Sequence, residues 1–183
     1  MNPQSNRPDP IPALQDLEML PYIDDQGKLP AALQGKIGVY GIFDARHTLQ
    51  YVGYSRDIYL SLKQHLVRQP QLCYGVKAQT IDRPNRTILE DTQHAWMAEN
   101  GTVPAGNGPQ FQTWTQSIDV KPLMTPEEMA THEKLDEIDQ EKLLKDVARR
   151  VEAGILADLQ QRGVTEEIRF NPKLKTSGLL DLK

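Results

Sequence analysis

The sequence predicts an α+β fold in which helices flank a small three-stranded antiparallel sheet, with a helical extension at the C-terminal end. Two apolar, glycine-punctuated runs, 37–43 and 49–53, lie close enough in the chain to form a β-hairpin. A third run, 73–81, alternates loosely, and helix-like segments follow both the hairpin and this run. Beyond residue 122 the strand patterns stop and a long helical periodicity begins.

Composition limits the possible functions. The 183 residues suffice for one domain with a real core. A net charge of −4 gives no overall field that would attract nucleic acid, although section 36–110 is mildly basic, with eight Lys/Arg and six Asp/Glu. The one cysteine, Cys73, excludes an internal disulfide and a cysteine-based metal cluster, and we expect it to be a buried apolar residue.

The N-terminal part divides into two segments. Residues 1–12 contain four prolines and predict a flexible arm, whereas residues 13–35 predict an ordered lead-in. The start lacks the basic and apolar regions of a signal peptide, and no apolar run is long enough to span a bilayer. These features predict no membrane association and a cytoplasmic or plastid-stroma-like reducing compartment.

Residues 36–122 predict the central domain. Asp44–Thr48 forms the hairpin turn, and the helix that follows has Ser55 or Asp57 as its N-cap and ends at Pro70. Its apolar stripe consists of Ile58, Leu62 and Leu66. After the third strand, a second helix over 86–100 has Leu89, Ala95 and Trp96 as core candidates, and an edge strand is predicted over 111–122.

Residues 123–163 predict an acidic helical extension, and residues 164–183 form a tail. The extension begins at a capping box, Thr125 to Glu128, and its helix over 126–161 is expected in two pieces. Its apolar stripe either packs on the core or serves as an interface, so residues 125–161 are a candidate surface for a protein partner. The tail either docks on the body or stays loose.

The hairpin carries a motif that bears on function. The segments Gly38-Val39-Tyr40 and Tyr51-Val52-Gly53 place two tyrosines on adjacent strands, an arrangement common in packed hairpins. Their order, the following helix, Glu90 on the second helix and the later Pro104-Ala105-Gly106-Asn107 together resemble the GIY-YIG nuclease superfamily over residues 36–110.

The resemblance implies hydrolysis of a phosphodiester, usually in DNA, with one divalent metal. Tyr40 and Tyr51 would position or activate the attacking water, and Glu90 would hold Mg²⁺ or Mn²⁺. His65 matches a helix position where some members carry a catalytic histidine; the alternative is a partly exposed helix histidine. DNA would then bind at the face of Tyr40, Tyr51 and Glu90.

Ser61 departs from the family pattern. It stands where the family has an arginine, so a neutral hydroxyl replaces a guanidinium. Arg56, Ser61 and Arg68 are the candidate phosphate contacts. The preferred hypothesis is a divergent member with weakened or lost phosphodiesterase activity that binds protein or nucleic acid. The alternatives are an active Mg²⁺-dependent endonuclease that cleaves DNA, and a chance resemblance in an unrelated α+β protein.

Overall fold

The central sheet has four strands: β1 (Leu20–Pro21), β2 (Ile37–Phe43), β3 (Leu49–Ser55) and β4 (Gly75–Ile81). In the computed structural model, which describes residues 10–183, they lie in the order β1, β4, β2, β3, and every pair is antiparallel. The α+β class is confirmed, but the prediction of three strands is wrong. The fourth strand arises because the lead-in pairs with β4, with Leu20 opposite Val76. Most of the predicted arm, residues 1–9, lies outside the described residues.

The predicted hairpin is confirmed. β2 and β3 pair with Tyr40 opposite Gly53 and Ile42 opposite Tyr51. The Asp44 carboxylate closes the turn by accepting hydrogen bonds from the backbone N–H groups of Arg46 and Thr48. Gly53 is required by close packing, because a Cβ atom there would lie 2.8 Å from the Tyr40 hydroxyl.

Two helices cover opposite faces of the sheet. Helix α1 (Ile58–Arg68) begins at the N-cap Asp57, whose carboxylate accepts a hydrogen bond from the Leu60 N–H, and its predicted apolar stripe is fully buried. Helix α2 (Arg86–Glu99) has Asn85 as its N-cap and buries Trp96 completely on the other face. The core positions predicted for both helices are therefore confirmed except Ala95, which is only partly buried.

The edge strand predicted over 111–122 is wrong. Residues 111–115 form a short helix, α3 (Phe111–Thr115), and only β5 (Ile118–Asp119) is extended. β5 pairs with β6 (Leu179–Leu180) near the C-terminus and not with the central sheet. A helical turn is favoured because it carries Trp114 into the core, where its indole ring is fully buried and stacks on the Tyr51 ring.

The C-terminal part consists of α4 (Pro126–His132) and α5 (Glu137–Gln161), so the predicted break into two helices is confirmed. The capping box between Thr125 and Glu128 is formed as predicted. Val147 and Leu159 of α5 are buried in the same apolar cluster as Tyr40. Among the described helices, none is both long and apolar enough to cross a membrane.

The tail docks on the body. Phe170 and Leu180 are buried in the main core. Arg162, just after α5, donates hydrogen bonds to the backbone carbonyls of Pro70 at 2.6 Å and Cys73 at 2.7 Å, and its guanidinium lies 4.1 Å from the centre of the Tyr74 ring. These contacts tie the end of α5 to the segment between α1 and β4.

We predict that Arg162→Ala lowers the free energy of unfolding by about 2–4 kcal/mol, because it removes two charged hydrogen bonds and a cation–π contact. Urea unfolding followed by circular dichroism measures this change. The matched control is Arg149→Ala, which removes an exposed arginine whose ion pair among the described residues is with Asp146, and it is expected to change stability by less than about 1 kcal/mol. Equal stability of the two variants would contradict the proposed role of Arg162.

Candidate functional site

Four ring side chains meet between the sheet and α1 and form the aromatic cluster, consisting of Tyr40, Tyr51, His65 and Trp114. The Tyr40 hydroxyl lies 2.9 Å from Nε2 of His65, and the imidazole tautomer decides which of them donates the hydrogen bond. The ring centres of Tyr51 and His65 are 4.7 Å apart, and those of Tyr51 and Trp114 are 5.5 Å apart with nearly parallel planes. The structure therefore brings together three of the predicted site residues, and adds Trp114.

The aromatic cluster is closed to solvent. Exposed fractions are 2% for Tyr40, 4% for His65 and 8% for Tyr51, so the prediction of a partly exposed helix histidine is wrong. Burial, followed by the nearby Arg68 charge, lowers the pKa of His65 to about 3. Burial and the neighbouring Tyr51 raise the pKa of Tyr40. At neutral pH the pair is an uncharged imidazole and an uncharged phenol.

The three candidate phosphate contacts have different surroundings. The Arg68 side chain is 7% exposed and donates hydrogen bonds to the Trp114 carbonyl and the Asp181 carboxylate. Its positive charge is therefore paired with Asp181 inside the protein. The Ser61 hydroxyl donates to the Ser55 hydroxyl at 2.7 Å. Arg56 is exposed and borders a separate cleft.

Glu90 forms hydrogen bonds with two residues that line this cleft. Its carboxylate is 35% exposed and accepts hydrogen bonds from Nε of Arg86 at 2.6 Å and from the Tyr54 hydroxyl at 3.2 Å. The Arg86 guanidinium is the main reason that the pKa of Glu90 is lowered. No hydrogen bond between described residues joins Glu90 to Tyr40, Tyr51 or His65.

The cleft beside Glu90 has a volume of about 370 Å³ and lies where β3 ends and α2 begins. Tyr54 and Arg86 line it, and both were missed by sequence reasoning. The i, i+4 spacing of Arg86 and Glu90 was the available signal for their ion pair. Tyr54, which follows the second tyrosine motif, had no comparable signal.

Metal binding at Glu90 would depend on one carboxylate that Arg86 and Tyr54 already engage. The described residues bring no three His, Cys, Asp or Glu side chains together at one place. Mg²⁺ can bind through one carboxylate and several waters, but at Glu90 it would have to displace the Arg86 guanidinium. Mg²⁺ or Mn²⁺ at Glu90 stays a prediction.

Asn107, the end of the Pro104–Asn107 motif, has a backbone partner. Its side-chain oxygen accepts a hydrogen bond from the Val52 N–H at 2.8 Å, and its amide nitrogen donates to the Val52 carbonyl at 2.8 Å. Gln93 donates a further hydrogen bond to the same carbonyl. Because β3 is an edge strand, these side chains occupy backbone groups that would otherwise lie open.

Comparison with known proteins gives one informative match. No protein-family model matches the sequence. The chain is 35% identical over 101 residues to the bifunctional monothiol glutaredoxin-S16, chloroplastic, of Arabidopsis thaliana. The match takes in 53% of this chain and 33% of that relative, so the chain spans about a third of the relative's length.

This match corrects the assignment to the GIY-YIG nuclease superfamily. The relative carries the name of a monothiol glutaredoxin, and on that finding the nuclease, endonuclease and hydrolase assignments are wrong, as is a binding module of that family. In the structure Arg68 is buried and paired with Asp181, and no hydrogen bond between described residues joins Glu90 to the two tyrosines. The expectation of DNA at the face of Tyr40, Tyr51 and Glu90 depended on that family and stays a prediction.

We predict that the protein loses stability as the pH falls below 6.5, the usual pKa of histidine. Below this pH His65 is protonated in the unfolded chain, whereas in the folded protein burial lowers its pKa to about 3, so that it stays neutral. At pH 4.5 the expected loss from this group is about 2–3 kcal/mol. His65→Asn should flatten this part of the pH profile, whereas the exposed control His94→Asn should leave it unchanged. Urea unfolding between pH 4.5 and 7.5 measures the effect.

A direct titration provides the second measurement. The imidazole resonances of His65 in the folded protein should show no protonation above about pH 5. Protonation of His65 near pH 6.5 in the folded state would contradict the assignment of a neutral, desolvated imidazole.

Proposed function

We propose that this chain acts in thiol redox chemistry as a module without a redox thiol of its own, which binds and modulates a monothiol glutaredoxin. The observation that carries the proposal is the 35% identity over 101 residues to a relative named as a bifunctional monothiol glutaredoxin. Since that relative is also named chloroplastic, a plastid compartment is part of the proposal.

The properties of Cys73 support placing the redox thiol outside this chain. Cys73 is the one cysteine of the sequence and is fully buried. Burial raises the pKa of its thiol to about 12. A reactive redox thiol needs exposure and a lowered pKa, because the thiolate is the nucleophile. Cys73 has neither property and fits a structural role.

The sheet topology also supports a chain that binds a glutaredoxin without carrying the redox thiol itself. A glutaredoxin relative suggests a thioredoxin-like fold, and thioredoxin-like redox motifs accompany a βαβ unit, which needs two parallel strands. The strand pairs of the described residues are all antiparallel. The proposal therefore assigns this chain a binding role and leaves the thiol chemistry to the glutaredoxin.

The surface proposed for the glutaredoxin lies on α4 and α5, within residues 125–161. Two apolar side chains stand out there: Ile138 is 68% exposed and Met129 is 40% exposed. They lie among acidic residues, so this face offers apolar anchors within a negatively charged rim.

Two measurements test this proposal. The first is thiol chemistry: Cys73 in the folded chain should react with Ellman's reagent roughly a thousandfold more slowly than after unfolding. The folded chain alone should also show no glutathione-dependent disulfide reduction. Disulfide reduction by the chain alone that is lost in Cys73→Ser would overturn the proposal.

The second measurement is binding to a purified chloroplastic monothiol glutaredoxin by calorimetry. We expect a dissociation constant on the order of micromolar, and Ile138→Asp should weaken it by about tenfold or more. The control Leu60→Asp changes a similarly exposed leucine on α1 and should bind as the wild type does. The proposal would also be overturned if calorimetry detected no binding and if adding the chain left the rate of disulfide reduction by the glutaredoxin unchanged.

A further inference from the structure

The outer edge of β4 is only partly covered. β1 pairs with β4 at Gly75 and Val76 alone. Beyond these two residues, Lys77–Ile81 have β2 on one side and no strand on the other among the described residues. By contrast, the opposite edge of the sheet, at Val52, is occupied by the side chains of Asn107 and Gln93.

The pleat determines which backbone groups of β4 face outward. The Gln79 carbonyl points toward β2, since a Cβ atom built on Gly38 would lie 2.1 Å from its oxygen. In an antiparallel strand successive residues direct their N–H and C=O groups to alternate sides. The N–H and C=O groups of Ala78 and Thr80 therefore point to the outer edge. Their one contact among the described hydrogen bonds is a 3.4 Å bond from the Gln79 side chain to the Thr80 carbonyl.

An apolar groove runs beside this open edge, between β4 and α2. We call it the β4 groove; its volume is about 380 Å³. Its apolar lining comes from two prolines, Pro10 and Pro12, and from Ile11, Val39, Ile81, Ile88 and Leu89. Ile11 and Ile88 are large apolar side chains and yet are 43% and 39% exposed. Uncovered apolar side chains that line one groove are typical of a binding surface.

Charge distinguishes the possible occupants. Asp82 and Asp91 both line the β4 groove and are exposed, and no Lys or Arg within residues 10–183 lines it. Edge strands that avoid pairing usually carry lysine, proline or an inward-pointing charge. The open stretch carries one of these, Lys77, whose ammonium group donates hydrogen bonds to the carbonyls of Leu14 and Gln15, and Ala78–Thr80 carry none. The groove therefore combines free backbone groups, an apolar floor and negative charge.

We propose that the β4 groove binds an extended segment of a partner protein in which basic and apolar side chains alternate. The segment adds a strand to the sheet through the free N–H and C=O groups of Ala78 and Thr80. Its apolar side chains pack on the groove floor near Ile81 and Ile88, and its Lys or Arg side chains meet Asp82 and Asp91. This surface is separate from the α4–α5 face and does not depend on the proposed thiol function.

The probe is a fluorescein-labelled heptapeptide, free of cysteine, in which valine alternates with lysine, and fluorescence anisotropy measures its binding. A matched peptide with glutamate in place of lysine should bind at least about tenfold more weakly. Two further peptides carry N-methyl groups on alternate residues, either all valines or all lysines. Strand addition requires that one of these two lose binding, because its pairing N–H groups are blocked, while the other retains it.

Variants of the chain test the groove itself. Asp91→Lys and Ile88→Gln both change exposed residues of α2, and each should raise the dissociation constant of the lysine peptide about tenfold. The control Asp146→Lys places the same charge reversal on an exposed position of α5 and should leave binding unchanged. Circular dichroism checks that each variant is folded.

Several results would overturn the proposal: no binding of the lysine peptide up to about 1 mM, equal binding of the lysine and glutamate peptides, or binding that tolerates both patterns of N-methylation. Sedimentation velocity tests whether a second copy of this chain occupies the groove. Self-association that Ile88→Gln abolishes would show this and would overturn the proposal of a partner segment. Each of these results leaves the glutaredoxin proposal untouched, because the peptides contain no thiol.

Discussion

The hydrogen bond between Tyr40 and His65 joins the sheet to α1 at the centre of the fold. Both partners are almost fully buried, and a buried polar group without a partner costs roughly 1–3 kcal/mol. The rings of Tyr51 and Trp114 shield the Tyr40–His65 pair from water. Trp114 can do so because α3 directs its side chain into the core. The loop before α3 is held in turn by the two hydrogen bonds between Asn107 and Val52. The Tyr40–His65 hydrogen bond and the packing of the Trp114 ring thus link β2, β3, α1 and α3, while Nδ1 of His65 and Nε1 of Trp114 are buried without a hydrogen-bond partner among the described residues.

The tail completes the same core from the other end of the chain. Arg162 binds the carbonyls that precede β4, and Glu166 accepts hydrogen bonds from the Leu29 N–H and the Tyr59 hydroxyl. The lead-in, α1 and the tail therefore support one another. Cys73 lies beneath these contacts, so the packing that stabilises the fold also keeps the one thiol away from solvent. The proposed function accordingly assigns Cys73 a structural role.

Several elements could be predicted from local patterns. The hairpin follows from two apolar runs and a turn rich in polar residues, the Thr125 capping box from its spacing, and the burial of Trp96 from its place on the inner face of α2. Local patterns failed where distant segments meet. The segment 111–115 alternates like a strand but folds as a helix because Trp114 fills a site beside Tyr51. The fourth strand was missed because β1 has only two residues.

The sequence by itself determined that the chain is an α+β protein with a tyrosine-bearing hairpin, two helices that pack on a sheet and one cysteine, because periodicity and composition are local properties. It also suggested that Tyr40, Tyr51, His65 and Glu90 form one site. The tertiary structure placed the first three in a closed aromatic cluster and left Glu90 at the surface with Arg86 and Tyr54. Burial and pairing decide whether such groups are charged and accessible, and both depend on contacts with residues as remote as Trp114 and Asp181.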